Sequence, residues 1–319
     1  MSVNFIKGNS LIELRKFPDN YINCCITSPP YFNQRDYETS EWINGGNNCN
    51  HIKGINRNHL ISDAYEKPLE FYLKKCKKCG AERINNQIGL EEKYEDYIKN
   101  LILIFNEVKR VLKKDGTLWV NIGDTYRKDK NLYGIPWKLA FALQDQGWIL
   151  RQDIIWHKKG MPESVTDRCT KAHEYVFLLS KNKKYYYDNL AIQENSKYGV
   201  ATSPNKIKPI SNAFGSRNNI SKYKGSLKRN KRSVWKVNTQ PFSGLHTAVF
   251  PSKLIEPMIL AGCPVDGLVL DCFAGAGTTG LVANRLNRNS IMIDINKKYI
   301  ELSKNRIFND FPLFTEINV

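Results

Sequence analysis

The tetrapeptide Ser28-Pro29-Pro30-Tyr31 closes the apolar run 21–27. Its residue types suit one chemical problem, the activation of a planar, conjugated amino group. Such an amine is a poor nucleophile because its lone pair is delocalised into the ring. Two acceptors on its N–H bonds would draw the nitrogen toward a tetrahedral lone pair. Pro30 has no N–H and holds Pro29 in extended geometry, so the Pro29 carbonyl is not consumed by a continuing ladder. The Ser28 hydroxyl offers the second acceptor, and the Tyr31 ring offers a face on which a base can stack. A plain strand-ending turn would use the same residues.

A second constellation lies far downstream. Asp271-Cys-Phe273-Ala-Gly275-Ala-Gly277-Thr278 follows the short run Gly267-Leu268-Val269-Leu270, and Asp294 ends the next apolar run from Ser290. Strand, glycine-rich turn and helix make a nucleotide-type cradle, because glycine lets backbone approach a ligand closely. An acid at the end of the following strand can take ribose hydroxyls. The spacing lacks the Gly-x-Gly-x-x-Gly of a nicotinamide site. Asp271 and Phe273 instead suit a small cation such as S-adenosylmethionine, since a carboxylate and a π face both tolerate a sulfonium. A packing turn is the alternative.

The elements that must hold these turns are legible in part. Runs 21–27, 117–122 and 266–271 predict buried parallel strands, each ending in a polar or glycine-containing turn. Helices are predicted over 92–112, 135–146 and 278–288. The first has apolar residues from Tyr94 to Leu112 at helical spacing and stops at Gly116, and the second opens on Ile135-Pro136. Ile149–His157 and Glu174–Leu179 predict an antiparallel pair at a sheet edge, which makes His157 and His173 structural. Alternating strands and helices predict an α/β fold. Residues 38–86 break the pattern with Asn, Gly and Cys and little periodicity and read as an insertion, whereas the Ser-, Asn-, Lys- and Gly-rich 195–234 reads as a long irregular segment.

That insertion holds Cys49, His51, Cys76 and Cys79, with Cys-x-x-Cys-Gly as the stronger half of a zinc-like pattern. His59 is an alternative fourth ligand, and free thiols are the alternative to a metal. Zinc would fix a segment too poor in apolar residues to fold alone. Cys24, Cys25 and Cys263 read as small core residues.

The chain carries 48 Lys and Arg against 31 Asp and Glu, a net charge of +17. No acid occurs between Glu194 and Glu256, and twelve of the cations lie there. This concentration predicts a polyanionic partner, with Lys222, Lys224, Lys228, Arg229, Lys231 and Arg232 tracking phosphates. Lys159–Arg168 is a second candidate contact loop. No run approaches the ~20 apolar residues of a membrane span. The first residues resemble no secretory signal, so a cytoplasmic location is expected.

Taken together, the motifs resemble those of amino-directed DNA methyltransferases of the permuted β class. That family places its catalytic motif first, its target-recognition region in the middle and its cofactor motif last. Here the order is Ser28–Tyr31, then the basic stretch, then Asp271–Gly277. Lys114–Gly123 resembles the family's fifth core strand, and Asp153–Lys158 and Ala172–Ser180 resemble its edge hairpin. His246-Thr-Ala-Val-Phe250-Pro251 resembles the segment that closes over the cofactor.

The resemblance implies an S-adenosylmethionine-dependent methyltransferase (Rossmann-like) fold with a mixed, seven-stranded-type sheet. The catalytic half would span 1–37 and 87–194, the insertion 38–86, the target-recognition region 195–234 and the cofactor half 235–319. It implies transfer to a base flipped out of double-stranded DNA, and a cognate restriction endonuclease as partner. Ser-Pro-Pro-Tyr is used there mostly for cytosine N4, and Asp-Pro-Pro-Tyr mostly for adenine N6, so cytosine N4 is expected and adenine N6 is the alternative. Carbon-5 methylation would need a cysteine nucleophile in another context. RNA or protein-glutamine methyltransferases more often carry Asn-Pro-Pro-Tyr after the cofactor motif, and a non-catalytic DNA-binding module would need neither motif.

Overall fold

The computed structural model describes the chain except residues 38, 46–48, 52, 56–69, 73–74, 85–86, 160–162, 197–227, 240–249, 311–315 and 319. It opens with β1 (Ser2–Lys7), α1 (Ser10–Leu14) and β2 (Ile22–Thr27). The insertion holds β3 (Glu41–Ile43), β4 (Lys53–Ile55), β5 (Glu70–Tyr72) and β6 (Glu82–Ile84). Then come α2 (Tyr94–Val111), β7 (Leu112–Ile122), α3 (Ile135–Asp145), β8 (Ile149–His157) and β9 (His173–Ser180). Three short strands, β10 (Glu194–Asn195), β11 (Lys228–Arg229) and β12 (Val234–Lys236), precede α4 (Ser252–Gly262). The chain continues through β13 (Leu268–Asp271), α5 (Thr278–Arg285), β14 (Asn289–Asp294), α6 (Lys297–Asp310) and β15 (Glu316–Asn318).

One mixed sheet runs in the order β12-β8-β9-β7-β2-β13-β14-β1-β15. Only the pairs of β9 with β7 and with β8 are antiparallel. Buried strands in such a sheet must be apolar on both faces. β2 and β13 meet this by alternation. Cys25 and Leu270 join a core with α2 and α3, while Cys24, Ile26 and Val269 join a core with α4 and α5. α2 buries Tyr97, Leu101, Ile104, Phe105 and Val108 along one face, with Glu95 and Asp96 in its first turn and Lys109 and Arg110 in its last. Those charges complement the helix dipole.

The sheet corrects the sequence reading at its margins. The expected seven strands stand from β8 to β1, and β12 and β15 extend the sheet by one strand at each end. The β8–β9 hairpin is present, but β12 pairs in parallel with β8, so the hairpin is not the edge. Segment 1–37 is divided. β2 stands beside β7, whereas β1 pairs with β14 among the strands of the cofactor half. Among its described residues the insertion holds two short antiparallel pairs, β3 with β6 and, between them in sequence, β4 with β5.

Candidate active site

The two turns meet because their strands are neighbours. β2 and β13 pair in parallel, with Cys24 opposite Val269 and Cys25 opposite Leu270. Both turns therefore emerge at the carboxyl edge of the sheet, where open α/β sheets bind ligands. A cavity of ≈ 600 Å³ opens there. Ser28, Pro29, Pro30 and Tyr31 line one side, and Phe273, Gly275, Thr278, Asp294 and Phe250 line the other. Its size suits a small organic ligand.

On the first side, neighbours set the polarity of each group. The Tyr97 hydroxyl donates to the Pro30 carbonyl at 2.9 Å. No described residue donates to the Pro29 carbonyl, which stays open as an acceptor. The Tyr31 hydroxyl donates to Glu174 Oε2 at 2.6 Å, which leaves its oxygen able to accept from the neighbouring Ser28. A Ser28 hydroxyl that donates to Tyr31 has its lone pairs left to accept from a ligand. Asn121 Nδ2 donates to the same Glu174 oxygen at 3.1 Å, and Lys158 Nζ pairs with Oε1. Burial, with Glu174 adding to it, raises the Tyr31 phenol well above its usual pKa and keeps it protonated. Gly123 follows β7 where a Cβ would stand 2.7 Å from the Tyr31 ring, so this glycine lets the ring lie flat against the strand end.

The second side departs from the sequence reading at Asp271. Its carboxylate does not line the cavity and is fully buried. It accepts from Thr27 Oγ1 at 2.6 Å, Thr279 Oγ1 at 2.7 Å and the Phe273 amide at 3.1 Å. Asp271 therefore joins the end of β2 to the glycine-rich turn instead of facing a cation. Burial raises its carboxyl to about 6 against these hydrogen bonds.

Asp294 does line the cavity. It accepts from the Gly275 amide at 2.8 Å and the Asn296 amide at 2.8 Å, and burial raises it to about 6. Gly277 caps α5 outside the cavity lining and packs on Ser303, and Pro251 caps α4, also outside it. Thr278 accepts from Arg306 Nη1 at 2.9 Å. Thr39 Oγ1 lines the cavity, is buried and has no partner among the described residues. A polar ligand would supply one, which fits a nucleoside in this half.

The insertion brings its four candidate ligands together. The donor atoms of Cys49, His51, Cys76 and Cys79 lie within 4.8 Å of one another. His59 lies outside the described residues, as do Lys222, Lys224 and His246. Of the described cations in the basic stretch, Arg229 and Arg232 both bond Glu194 Oε1, at 3.0 and 2.8 Å. Lys231 stands over the Trp235 ring at 5.0 Å, and Lys228 is exposed in β11. His157 and His173 sit opposite each other in the β8–β9 pair.

Sequence reasoning misses Lys158, Glu174, Asn121 and Tyr97 as site residues. The first three stand at strand ends on the same edge, a signal available only once the strand order is known.

Comparisons with known proteins agree with this architecture. Residues 22–305 match the family model described as DNA methylase, of the N6 and N4 type. The type II methyltransferase M.Cfr9I of Citrobacter freundii is 36% identical, over 94% of this chain and 86% of its own length. M.SmaI of Serratia marcescens is 36% identical, over 96% of this chain and 91% of its own. Among solved structures, the cytosine-N4-specific PvuII DNA methyltransferase superposes with a TM-score of 0.63 at 19% identity, covering 100% of this chain and 95% of that one. A putative DNA modification methylase of Thermus thermophilus, solved in complex with S-adenosyl-L-methionine, gives 0.58 at 18% identity, with 100% of each chain covered. At these identities the structural likeness speaks to the fold. No helix among the described residues is long and apolar enough to cross a membrane.

Proposed function

This chain belongs to the N6/N4 DNA methylase family, whose members are amino-methyltransferases, and on that premise we propose that it methylates the exocyclic N4 amine of cytosine in duplex DNA. Ser28 in place of the aspartate mostly used for adenine favours cytosine. S-adenosylmethionine, when bound, supplies a methyl group on a positively charged sulfur. Asp294 takes its ribose hydroxyls, the unpartnered Thr39 hydroxyl takes a further polar group, and Phe273 offers a π face to the sulfonium. Gly277 and Pro251 act by shaping the turns beside this half.

The observation that carries the proposal is the pair of acceptors at the end of β2. The Pro29 carbonyl is open, and the Ser28 hydroxyl can turn its proton to the neighbouring Tyr31 oxygen and so present its lone pairs. Both accept from the flipped base's amino group and localise its lone pair, while Tyr31 stacks on the ring. The nitrogen would then take the methyl in line as its bond to the sulfonium breaks and leaves a neutral thioether, and the surplus proton on nitrogen would leave to solvent. The target must leave the duplex to reach this cavity. The basic stretch holds the DNA, a cognate endonuclease reads the same site, and Cys49, His51, Cys76 and Cys79 hold a structural zinc ion.

Mass spectrometry of nucleosides from DNA methylated by the purified chain tests the proposal. N4-methylcytosine is expected, and loss of about 10²-fold or more in rate for Ser28→Ala. N6-methyladenine would transfer the activity to adenine, and an unchanged rate in both Ser28→Ala and Tyr31→Ala would remove these residues from catalysis.

A further inference from the structure

The Cys49–His51–Cys76–Cys79 cluster has the dimensions of a closed zinc site. A tetrahedral ion with Zn–S of about 2.3 Å and Zn–N of about 2.0–2.1 Å needs S···S edges of about 3.8 Å and S···N edges of about 3.6 Å. The Cys49 and Cys76 sulfurs are 3.7 Å apart, and Cys79 Sγ is 3.6 Å from His51 Nδ1. The backbone is wound for the purpose. The Gly80 amide donates to the Cys76 carbonyl at 2.9 Å, and the Cys76 amide to the Ala81 carbonyl at 2.7 Å. Gly80 takes the left-handed φ of +75° that this turn requires. The Cys76 sulfur accepts from the amides of Lys78 and Cys79. Trp42 stacks on His51, with centroids 4.3 Å apart, and fixes the ring that presents Nδ1.

Few buried side chains hold the described residues of this segment. Within 38–86, Cys76 and Ala81 are the only described residues whose side chains are buried. With so few of its described side chains buried, metal binding supplies folding free energy that apolar packing does not supply there.

The cluster also sits at one end of a lever. β3 and β6 run from it toward the cavity, paired from Ile43–Glu82 to Glu41–Ile84. At the near end Gln87 clamps the cavity wall. Its Oε1 accepts from the Tyr37 amide at 2.7 Å, and its Nε2 donates to the Arg35 carbonyl at 2.6 Å. Tyr37 in turn accepts from Asn296 Nδ2 at 3.2 Å through its carbonyl and sets its ring edge-on to Tyr299. Asn296 and Tyr299 line the cofactor half of the cavity beside Asp294.

We infer that the cluster binds one structural zinc ion, and that this ion fixes the wall formed by Arg35, Tyr37 and Thr39 and so strengthens cofactor binding. The second half rests on the cofactor assignment above, whereas the first does not. The test uses the full chain and no methyl transfer. Elemental analysis of protein purified without chelator should give about one zinc per chain, lost in Cys76→Ser/Cys79→Ser. Zinc well below one per chain, with all four groups titrating freely in the native protein, would overturn the site.

Calorimetric titration with S-adenosylmethionine then compares zinc-loaded and zinc-stripped protein. Dissociation constants about tenfold apart are expected, an ordinary size for coupling between two sites. If stripped protein unfolds, Gln87→Ala is the second arm. It should keep its zinc and lose about fivefold or more in cofactor affinity. Unchanged affinity in the stripped protein, or in Gln87→Ala where stripping unfolds the chain, would overturn the coupling. Absence of S-adenosylmethionine binding to fully loaded protein would instead refute the cofactor assignment and leave the zinc site standing.

Discussion

Glu174 touches no reacting atom in the proposed chemistry, yet Tyr31, Asn121 and Lys158 all converge on it. It acts through Tyr31, whose hydroxyl must donate to a carboxylate and is thereby left to accept from Ser28. Tyr31→Phe cuts this relay but keeps the ring. Its kcat should fall about 10-fold, while Tyr31→Ala, which also removes the stacking face, should fall about 10²-fold or more. Glu174→Gln puts an amide that can donate opposite the phenol and leaves Lys158 unpaired. It should lower kcat with little change in cofactor KM, and Glu174→Asp should restore part of the loss. Single-turnover rates separate these effects from product release. Asp294 carries a pH dependence of its own. Burial raises its pKa to about 6. A ribose hydroxyl donates best to the ionised carboxylate, so binding is full above that value and weakens as pH falls through about 6. Below it, cofactor affinity should drop by about tenfold per pH unit, as for any single ionisation. Asp294→Asn should bind weakly at every pH and lack that inflection, which direct binding titrations from pH 5 to 8 would reveal (the range spans about one unit below and two above the pKa).

At the scale of elements, the junction of β2 with the glycine-rich turn depends on Asp271. Its three donors come from Thr27, Thr279 and Phe273, so it joins a strand, a turn and a helix. Asp271→Asn keeps the shape and removes a costly buried charge, and the threonine hydroxyls can rotate to meet the amide. Cofactor affinity should stay within about threefold of the parent, since a direct sulfonium contact would lose more. Asp271→Ala leaves three donors unmet and a void, and should cost about 2–4 kcal/mol in denaturant unfolding. The orientation of Asp271 is not readable from sequence, because alternation does not say which way the last residue of a strand points. β2, α2 and β7 are readable because their burial follows the apolar pattern. β1 escapes notice because it is short and buries only Val3 and Phe5, with polar Ser2, Asn4 and Lys7 around them. α4 carries Pro257 in its interior, which argues against a helix until the packing of Leu254, Ile255, Met258 and Ile259 is known. α6 buries only Ile300, Ser303 and Ile307, too sparse a stripe among Lys and Asn. The paired motifs are legible because each ends a buried strand. That they meet is not, because it depends on β13 returning beside β2 across more than two hundred residues.

For the whole molecule, the net charge of +17 sets how it meets a polyanion, and its layout decides which charges count. Arg229 and Arg232 share Glu194, whose strand β10 pairs with β11, so this acid offsets part of the local field. Lys222, Lys224 and Lys231 have no such acid nearby in sequence. If they contact phosphates, each releases counterions on binding, and log K falls against log salt with about 0.9 of slope per phosphate contact. Replacing all three by Ala should therefore lower the slope by about 2.7 and weaken cognate and unrelated duplexes alike. Glu194→Ala frees the two arginines. It should raise affinity for unrelated DNA and narrow the ratio between cognate and unrelated duplexes, because the charge gained carries no sequence information. Fluorescence anisotropy on both duplexes, over a series of salt concentrations, measures slope and ratio together. An unchanged slope in the triple-lysine variant would move the DNA away from this stretch, and the Lys159–Arg168 loop beside Lys158 would then be the next surface to neutralise.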